Sequence, residues 1–426
     1  MALGFSLKKS VISAVMVRRL SNEGLLSRRQ KVEKKRLKSG QSHAVDYFHQ
    51  VDDPYSTLTA MALKPLLEKY NISLTIHIVG SAADSVIPER EKFIDWSRRD
   101  AALIAPKYGV SFEPTNPSPA SETINQATAL LVQAVLDGSC LEVIEQTSKA
   151  LWSGGSFAAS RLATPDDINS HLAASAKKRK KAGHYLGAVF CYGKECYWGL
   201  DRLHYLEERL QELGADRFPD TGILYPVPTA KRPQESLSSN TPIDFFVSLR
   251  SPYTSIVAKR VFELGRRYNK EVKVRYVLPM VMRGLPVPRE KALYIAHDTA
   301  REAHRLGIPF GRFKDPLGLP TERGLSLMPL AEEKDVVESY LISFMEGVWS
   351  EGIDAGTDKG LLLITDRAGL DWADVQSALN KTEWRKTAEA NREELFNLGL
   401  WGVPSFRCGD TVLWGQDRLW ALEETL

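Results

Sequence analysis

Few side chains in this 426-residue chain have both the type and the spacing for chemistry. The four cysteines are Cys140, Cys191, Cys196 and Cys408, and no two of them form the Cys-x-x-Cys of a dithiol redox centre. Cys191 and Cys196 flank a Gly193-Lys194 turn, and across a two-residue loop they would face each other closely enough for a disulfide. A pair of reduced strand cysteines is nevertheless the expectation. Cys408 falls at a second hairpin turn and reads as incidental, and Cys140, after Gly138-Ser139, reads as packing. Four scattered cysteines are too few for a disulfide scaffold, and a reducing compartment is the simplest reading. The eight histidines show no metal-ligand spacing. His297 and His304, seven apart on one predicted helix, have no Asp or Cys set beside them, so no metal is expected. Gly154-Gly155 and Gly356 are isolated, which gives no glycine-rich phosphate loop.

The elements that must position any site repeat along the chain. Val45-Asp46-Tyr47-Phe48 leads into Asp53-Pro54-Tyr55-Ser56, and Ile243-Asp244-Phe245-Phe246 leads into Ser251-Pro252-Tyr253-Thr254; the two Pro-Tyr pairs lie 198 residues apart. Trp152-Ser153 recurs as Trp349-Ser350, and Tyr197-Trp198-Gly199-Leu200-Asp201-Arg202-Leu203 recurs as Leu413-Trp414-Gly415-Gln416-Asp417-Arg418-Leu419. In each half a period-2 strand (Val45–His49; Asp244–Leu249) precedes a helix with proline in its first turn, ending near Tyr70 or Tyr268. A β-branched strand follows (Leu74–Val79; Val272–Val277), then a long helical stretch over about 88–182 and 288–397. A hairpin turning at Gly193-Lys194 or Gly409-Asp410 comes next, then a last helix from near Asp201 or Asp417. The order is β-α-β, helical insert, β-β-α. Phe218 to Pro242 lacks periodicity and reads as a linker. The expected domains are a basic arm at 1–40, a first domain at 41–215, a linker at 216–242 and a second domain at 243–426.

Across Ile243 to Leu426 the sequence resembles the DsbA-like thioredoxin-fold family, in the branch of 2-hydroxychromene-2-carboxylate isomerase and the kappa-class glutathione transferase. The motifs are Ser251-Pro252-Tyr253, Lys291-Ala292-Leu293-Tyr294 with Asp298, Gly402-Val403-Pro404, and Trp414-Gly415-Gln416-Asp417-Arg418. The resemblance implies an α/β fold class of two tandem thioredoxin-like folds, each with a long helical insertion, and it implies glutathione as cofactor. Ser251 would be the catalytic residue that hydrogen-bonds the glutathione thiolate at a helix N-terminus, where a hydroxyl and the helix dipole both favour S⁻. Pro404 would be the cis-proline that leaves Val403 free to pair with the cysteinyl backbone. Gln416 and Asp417 would hold the γ-glutamyl end, with an N-cap as the competing role for Asp417. Lys291 would pair with a glutathione carboxylate, or lie on an exposed helix face. Trp401 and Trp414 flank this site and would line a hydrophobic substrate pocket or fill core.

The chain departs from the family pattern at Arg283-Gly284-Leu285-Pro286, which is short and lacks the Asn found before the Lys-x-x-Tyr helix. The first half departs further: Asp53 replaces the serine, Ala188 the cis-proline and Leu200 the glutamine, so it reads as a degenerate copy. The implied activity is a glutathione-dependent isomerase or transferase acting on an electrophilic aromatic small molecule. The alternative is a non-catalytic tandem binding module for peptide, protein or membrane surface. Family members act as dimers, so the tandem is expected to be an intramolecular pseudo-dimer of monomeric mass.

Charge is unevenly distributed. Residues 1–40 hold eleven Lys/Arg against Glu23 and Glu33, a net +9, which leaves −6 for the rest of a chain whose total is +3. Val11, Ile12, Val15, Met16 and Leu20 sit at helical spacing, so the arm is either an amphipathic helix for an anionic membrane surface or a solvated helix packed on the body. A secretory signal fits poorly, because arginines follow the short apolar run at once; a mitochondrial presequence shares the basic, acid-poor character. No stretch approaches the ~20 apolar residues of a membrane span. A cytoplasmic protein, peripheral to a membrane if the arm binds lipid, with no nucleic-acid partner, is the expectation.

Overall fold

The computed structural model describes residues 17–114, 118–157, 161–231 and 241–426. The apolar residues Val11, Ile12, Val15 and Met16 of the proposed amphipathic helix lie outside the described residues. Residues 17–20 are helical, and α1 follows at Asn22–Ser39. It is followed by β1 (His43–Gln50), α2 (Pro54–Lys69) and β2 (Ile72–Val79). The first helical insertion comprises α3 (Arg90–Ile104), α4 (Ser121–Leu136), α5 (Cys140–Ser153) and α6 (Pro165–Ala182). The hairpin β3 (Val189–Tyr192) and β4 (Glu195–Trp198) then leads into α7 (Leu203–Glu212).

The second half repeats the order with β5 (Ile243–Val247), α8 (Pro252–Arg267) and β6 (Val272–Tyr276). Its insertion is longer: α9 (Arg289–Leu306), α10 (Leu319–Ser326), α11 (Met328–Glu333), α12 (Val337–Glu346), α13 (Asp358–Arg367), α14 (Trp372–Ala378) and α15 (Trp384–Asn397). The closing elements are β7 (Ser405–Cys408), β8 (Thr411–Trp414) and α16 (Leu419–Glu423).

Each half builds one four-stranded sheet, ordered β2-β1-β3-β4 and β6-β5-β7-β8. The first two strands of each pair in parallel, and the other contacts are antiparallel. A parallel pair needs a crossover, and the helix after each Pro-Tyr turn supplies it. The central strand β5 is buried at every position, which explains its nearly continuous apolar run. Its one acid, Asp244, is compensated by Arg275 (Nε–Oδ1 2.9 Å) and by Arg407. Asp46 of β1 is matched in the same way by His77 (2.9 Å) and Lys178 (2.6 Å).

The described chain falls into two compact units. One is Arg29–Pro228 with Pro288–Lys291; the other comprises the described residues up to Arg28, those of Thr229–Val287, and Ala292–Leu426. Within the first unit the structure corrects one expectation: Cys191 and Cys196 are joined in a disulfide. The register explains it. Tyr192 and Glu195 close the two-residue turn, so Cys191 and Cys196 are the next pair, directly opposite each other with Cα atoms 4.2 Å apart. That is the non-hydrogen-bonded position, where side chains come closest. Cys140 and Cys408 are free and buried.

Candidate functional site

The site of the second half starts from a helix cap. Ser251 has an extended backbone (φ −90°, ψ 113°), and its hydroxyl turns back to accept the N–H of Thr254 at 3.2 Å. That is the N-cap geometry serine favours, with Pro252 at the first helical position supplying a fixed φ and no stranded donor. The sheet brings the partner. Phe246 of β5 pairs with Ser405 of β7, so Val403-Pro404, just before β7, lies alongside the chain leaving β5. The Val403–Pro404 peptide is cis, and the Ser251 hydroxyl donates to the Val403 carbonyl at 3.3 Å. Pro404 in turn accepts from the Gly415 N–H at 3.0 Å, which ties the Gln416–Arg418 turn to the same place. The structure therefore brings Ser251, Val403, Pro404 and the Gln416-Asp417 turn together.

Two of the expected contact residues are engaged elsewhere. Gln416 is buried, its Nε2 donating to Glu302 Oε2 at 2.8 Å and its Oε1 accepting from Arg260 at 3.5 Å. Arg305 completes that network on Glu302 at 3.0 Å. Lys291 belongs to the compact unit of the first sheet, and its ammonium donates there to the Val86 carbonyl at 2.7 Å. Burial pushes its pKa down to about 8. Asp417 stays partly exposed beside Arg418 (3.6 Å) and lies inside a short 3₁₀ turn whose cap position is Gly415, while Arg418 holds the cap position of the helix that follows, so Asp417 is not at an N-cap position.

Trp401 and Trp414 pack with ring centroids 4.6 Å apart. Gly402 lies against that pair so closely that a Cβ would stand 2.7 Å from the Trp414 ring. Arg283, in the short loop that departs from the family pattern, donates to the Trp401 carbonyl at 3.4 Å.

In the first half the corresponding residues are engaged with one another. Asp53 caps α2, its carboxylate accepting from Tyr55 N (3.2 Å), Ser56 N (3.1 Å) and Ser56 Oγ (2.7 Å). It is buried, and burial raises its pKa to about 7. Ala188, at the position of Pro404, has a positive φ of 55°. Gly187 before it lies so near that a Cβ would stand 2.5 Å from Gln50 Cβ and 2.8 Å from Ser56 Oγ. Leu200, at the position of Gln416, is core.

Sequence reasoning missed the network of Glu302, Arg260 and Arg305 under Gln416, for which no motif existed. It also missed a repeated pair. Tyr55 donates to Asp100 at 2.7 Å and Tyr253 to Asp298 at 2.8 Å, each across 45 residues. Asp100 and Asp298 stand 198 apart, the same offset as the Pro-Tyr turns, so the signal was present in the sequence.

Residues 242–426 match the profile of the DSBA-like thioredoxin domain family. The second half is a DsbA-like thioredoxin fold. This half is similar to the 2-hydroxychromene-2-carboxylate isomerase of Pseudomonas putida, 22% identical over 196 residues that cover 43% of this chain and 93% of the relative. It is likewise similar to human glutathione S-transferase kappa 1, 26% identical over 208 residues, covering 43% and 90%. Among solved structures, a 2-hydroxychromene-2-carboxylate isomerase aligns with a TM-score of 0.37 at 22% identity, over 42% of this chain and 92% of its own. Among the described residues, no group of His, Cys, Asp and Glu could hold a metal ion, and no helix is long and apolar enough to cross a membrane.

Proposed function

We propose that the DsbA-like second half binds glutathione with its sulfur at Ser251 and uses it on an electrophilic aromatic small molecule, as an isomerase of the 2-hydroxychromene-2-carboxylate type or as a transferase. The observation that carries this reading is the Ser251 hydroxyl, at the N-terminus of the 16-residue helix α8 and 3.3 Å from the Val403 carbonyl. Its present acceptor is a neutral carbonyl at the long end of hydrogen-bonding range. A thiolate placed at the cap would draw the same proton into a stronger, charge-assisted bond, and the helix dipole adds to its stability. Among the described residues the Val403 N–H makes no internal hydrogen bond, so it can pair with an extended peptide. Pro404 fixes the path of that backbone, and Asp417 supplies a carboxylate for the α-ammonium of the γ-glutamyl end. Gln416, held by Glu302 and Arg260, sets the position of the Asp417 turn rather than reaching the ligand through its side chain.

When bound, glutathione supplies the nucleophilic sulfur, which an isomerase recovers at the end and a transferase leaves on the product. Ser251 holds its proton on the sulfur side, keeping the thiolate unprotonated at neutral pH.

The test is calorimetry at neutral pH with glutathione and the full chain. Loss of one hydrogen bond to a charged group corresponds to an affinity drop of about 10- to 100-fold for Ser251→Ala, with a smaller loss for Asp417→Ala. No heat from the wild type at millimolar glutathione would sink the reading and move attention to a non-catalytic binding module.

A further inference from the structure

We propose that the Arg29–Ser39 part of α1 is a docking face for an anionic lipid surface, independent of the thiol chemistry in the second half. The helix is polar on both sides, yet the sides differ. One side is fixed to the first sheet. Arg29 clasps Glu195 of β4 through two bonds of 3.0 and 2.9 Å, and Arg209 of α7 meets the same carboxylate at 3.0 Å. Val32 packs on the hairpin turn, where a Cβ on Gly193 would stand 3.0 Å from its Cγ1. Arg36 is locked at the end of the helix by Glu33 (2.8 and 2.6 Å) and by the Gln41 carbonyl (2.8 Å). Residues 29, 32 and 36 share one face of a 3.6-residue helix.

The other face is a lysine row. Lys31, Lys34, Lys35 and Lys38 follow the i, i+3, i+4, i+7 pattern and are all exposed. None of the four ammonium groups has a hydrogen-bond or ion-pair partner among the described residues. Arginines are thus spent inward on carboxylates while lysines are left outward without any. Leu37, 65% exposed, borders the row. Four unneutralised charges spaced along about 10 Å of helix complement a surface that offers many anionic groups in one plane. A leaflet rich in acidic lipid is such a surface, and Leu37 can enter its headgroup layer. The helix carries no aromatic residue on which a base could stack, which disfavours single-stranded nucleic acid. Because the opposite face is clamped to the sheet, the row is presented as a rigid strip.

Each lysine near an acidic leaflet strengthens binding by about fivefold at low salt, so the four together supply about 10³-fold. The experiment is sedimentation of the full chain with phosphatidylcholine vesicles holding 30% phosphatidylserine, with pure phosphatidylcholine vesicles, and with a 20-nucleotide oligouridine, comparing wild type and a K31Q/K34Q/K35Q/K38Q variant. The expected result is wild-type binding to the acidic vesicles only, falling as salt rises from 50 to 300 mM, and lost by roughly the predicted factor in the variant. The ammonium groups removed make no hydrogen bond or ion pair among the described residues, so an unchanged circular dichroism spectrum and thermal midpoint are expected of the variant. Equal binding of both proteins to acidic vesicles, wild-type binding to neutral vesicles, no vesicle binding at 50 mM salt, or lysine-dependent binding to the oligonucleotide alone would each overturn the proposal.

Discussion

Replacing Asp53 by Asn tests whether the first half is sealed as the structure implies. A carboxyl normally ionises near pH 3.9. Asp53 is buried and its pKa is raised to about 7, burial outweighing the bonds it accepts from Tyr55 and Ser56. A group whose folded pKa lies above its unfolded value binds a proton more tightly in the native state. Its stabilisation is complete below about pH 4 and is lost as pH rises through about 7. With ordinary and folded values about three units apart, the stability lost between pH 5 and pH 8 through this one group is about 2.5 kcal/mol. Asn is still a good cap residue, since its one amide oxygen can accept the Ser56 N–H and hydroxyl that now share Oδ2, and it does not titrate; the lost Tyr55 bond lowers the variant's stability equally at both pH values. Urea unfolding of both proteins at pH 5 and pH 8 is the assay. A chain of two units need not unfold in one step, so the comparison belongs to the transition that the substitution moves. The wild type should lose about 2.5 kcal/mol relative to Asp53→Asn on going to pH 8. A difference that does not change with pH, or a wild type that gains on the variant as pH rises, would show that the carboxylate is solvated or well paired and that the first half is not closed over it.

Thiol titration of the denatured, unreduced chain should find two free thiols, from Cys140 and Cys408, and four after reduction; four without reductant would exclude the Cys191–Cys196 bridge. Lys291→Met should leave glutathione affinity within about twofold of wild type by calorimetry, because its ammonium is used on the Val86 carbonyl. A tenfold loss would return Lys291 to the ligand.

How much of this was legible depended on whether a feature was local. The Pro-Tyr turns announce their helices because proline at the first turn and an oxygen-bearing cap act within four residues, and the observed helices open at Pro54 and Pro252 and close at Lys69 and Arg267 beside the expected tyrosines. The element order, β-α-β, helical insert, β-β-α, was legible because it repeats, and both halves follow it; the order of the strands within each sheet was not. What the sequence did not reveal was pairwise and distant. Glu302 reaches Gln416 across 114 residues, and nothing in either neighbourhood marks the bond. Lys291 fits a family motif in sequence, yet the motif does not encode what lies opposite its ammonium. The disulfide is an intermediate case. The turn length placed Cys191 opposite Cys196, but whether two opposed thiols bond depends on the closeness of that particular rung, which the register determines.

The repeated Tyr–Asp pair separates what holds the fold from what could do chemistry. Tyr253–Asp298 alone sits next to Ser251 in sequence and would invite a catalytic role, with Arg301 on the same carboxylate at 2.7 Å. Tyr55–Asp100 makes the same bond in the half whose cap residue is already saturated by its own helix and covered by Gly187. A pair that persists where the cap residue is an acid bonded to its own helix has a sufficient explanation without a ligand: it pins the first turn of the crossover helix to the first helix of the insertion, α2 to α3 and α8 to α9. Buried tyrosine hydroxyls require a partner in any case. The features that distinguish the second half are therefore few: Ser251 in place of Asp53, Val403-Pro404 in place of Gly187-Ala188, and Gln416 on its charged support in place of Leu200. If thiol chemistry occurs in this protein, it must depend on those differences, and exchanging Asp53 for Ser alone restores only one of the three, since Gly187-Ala188 and Leu200 would remain.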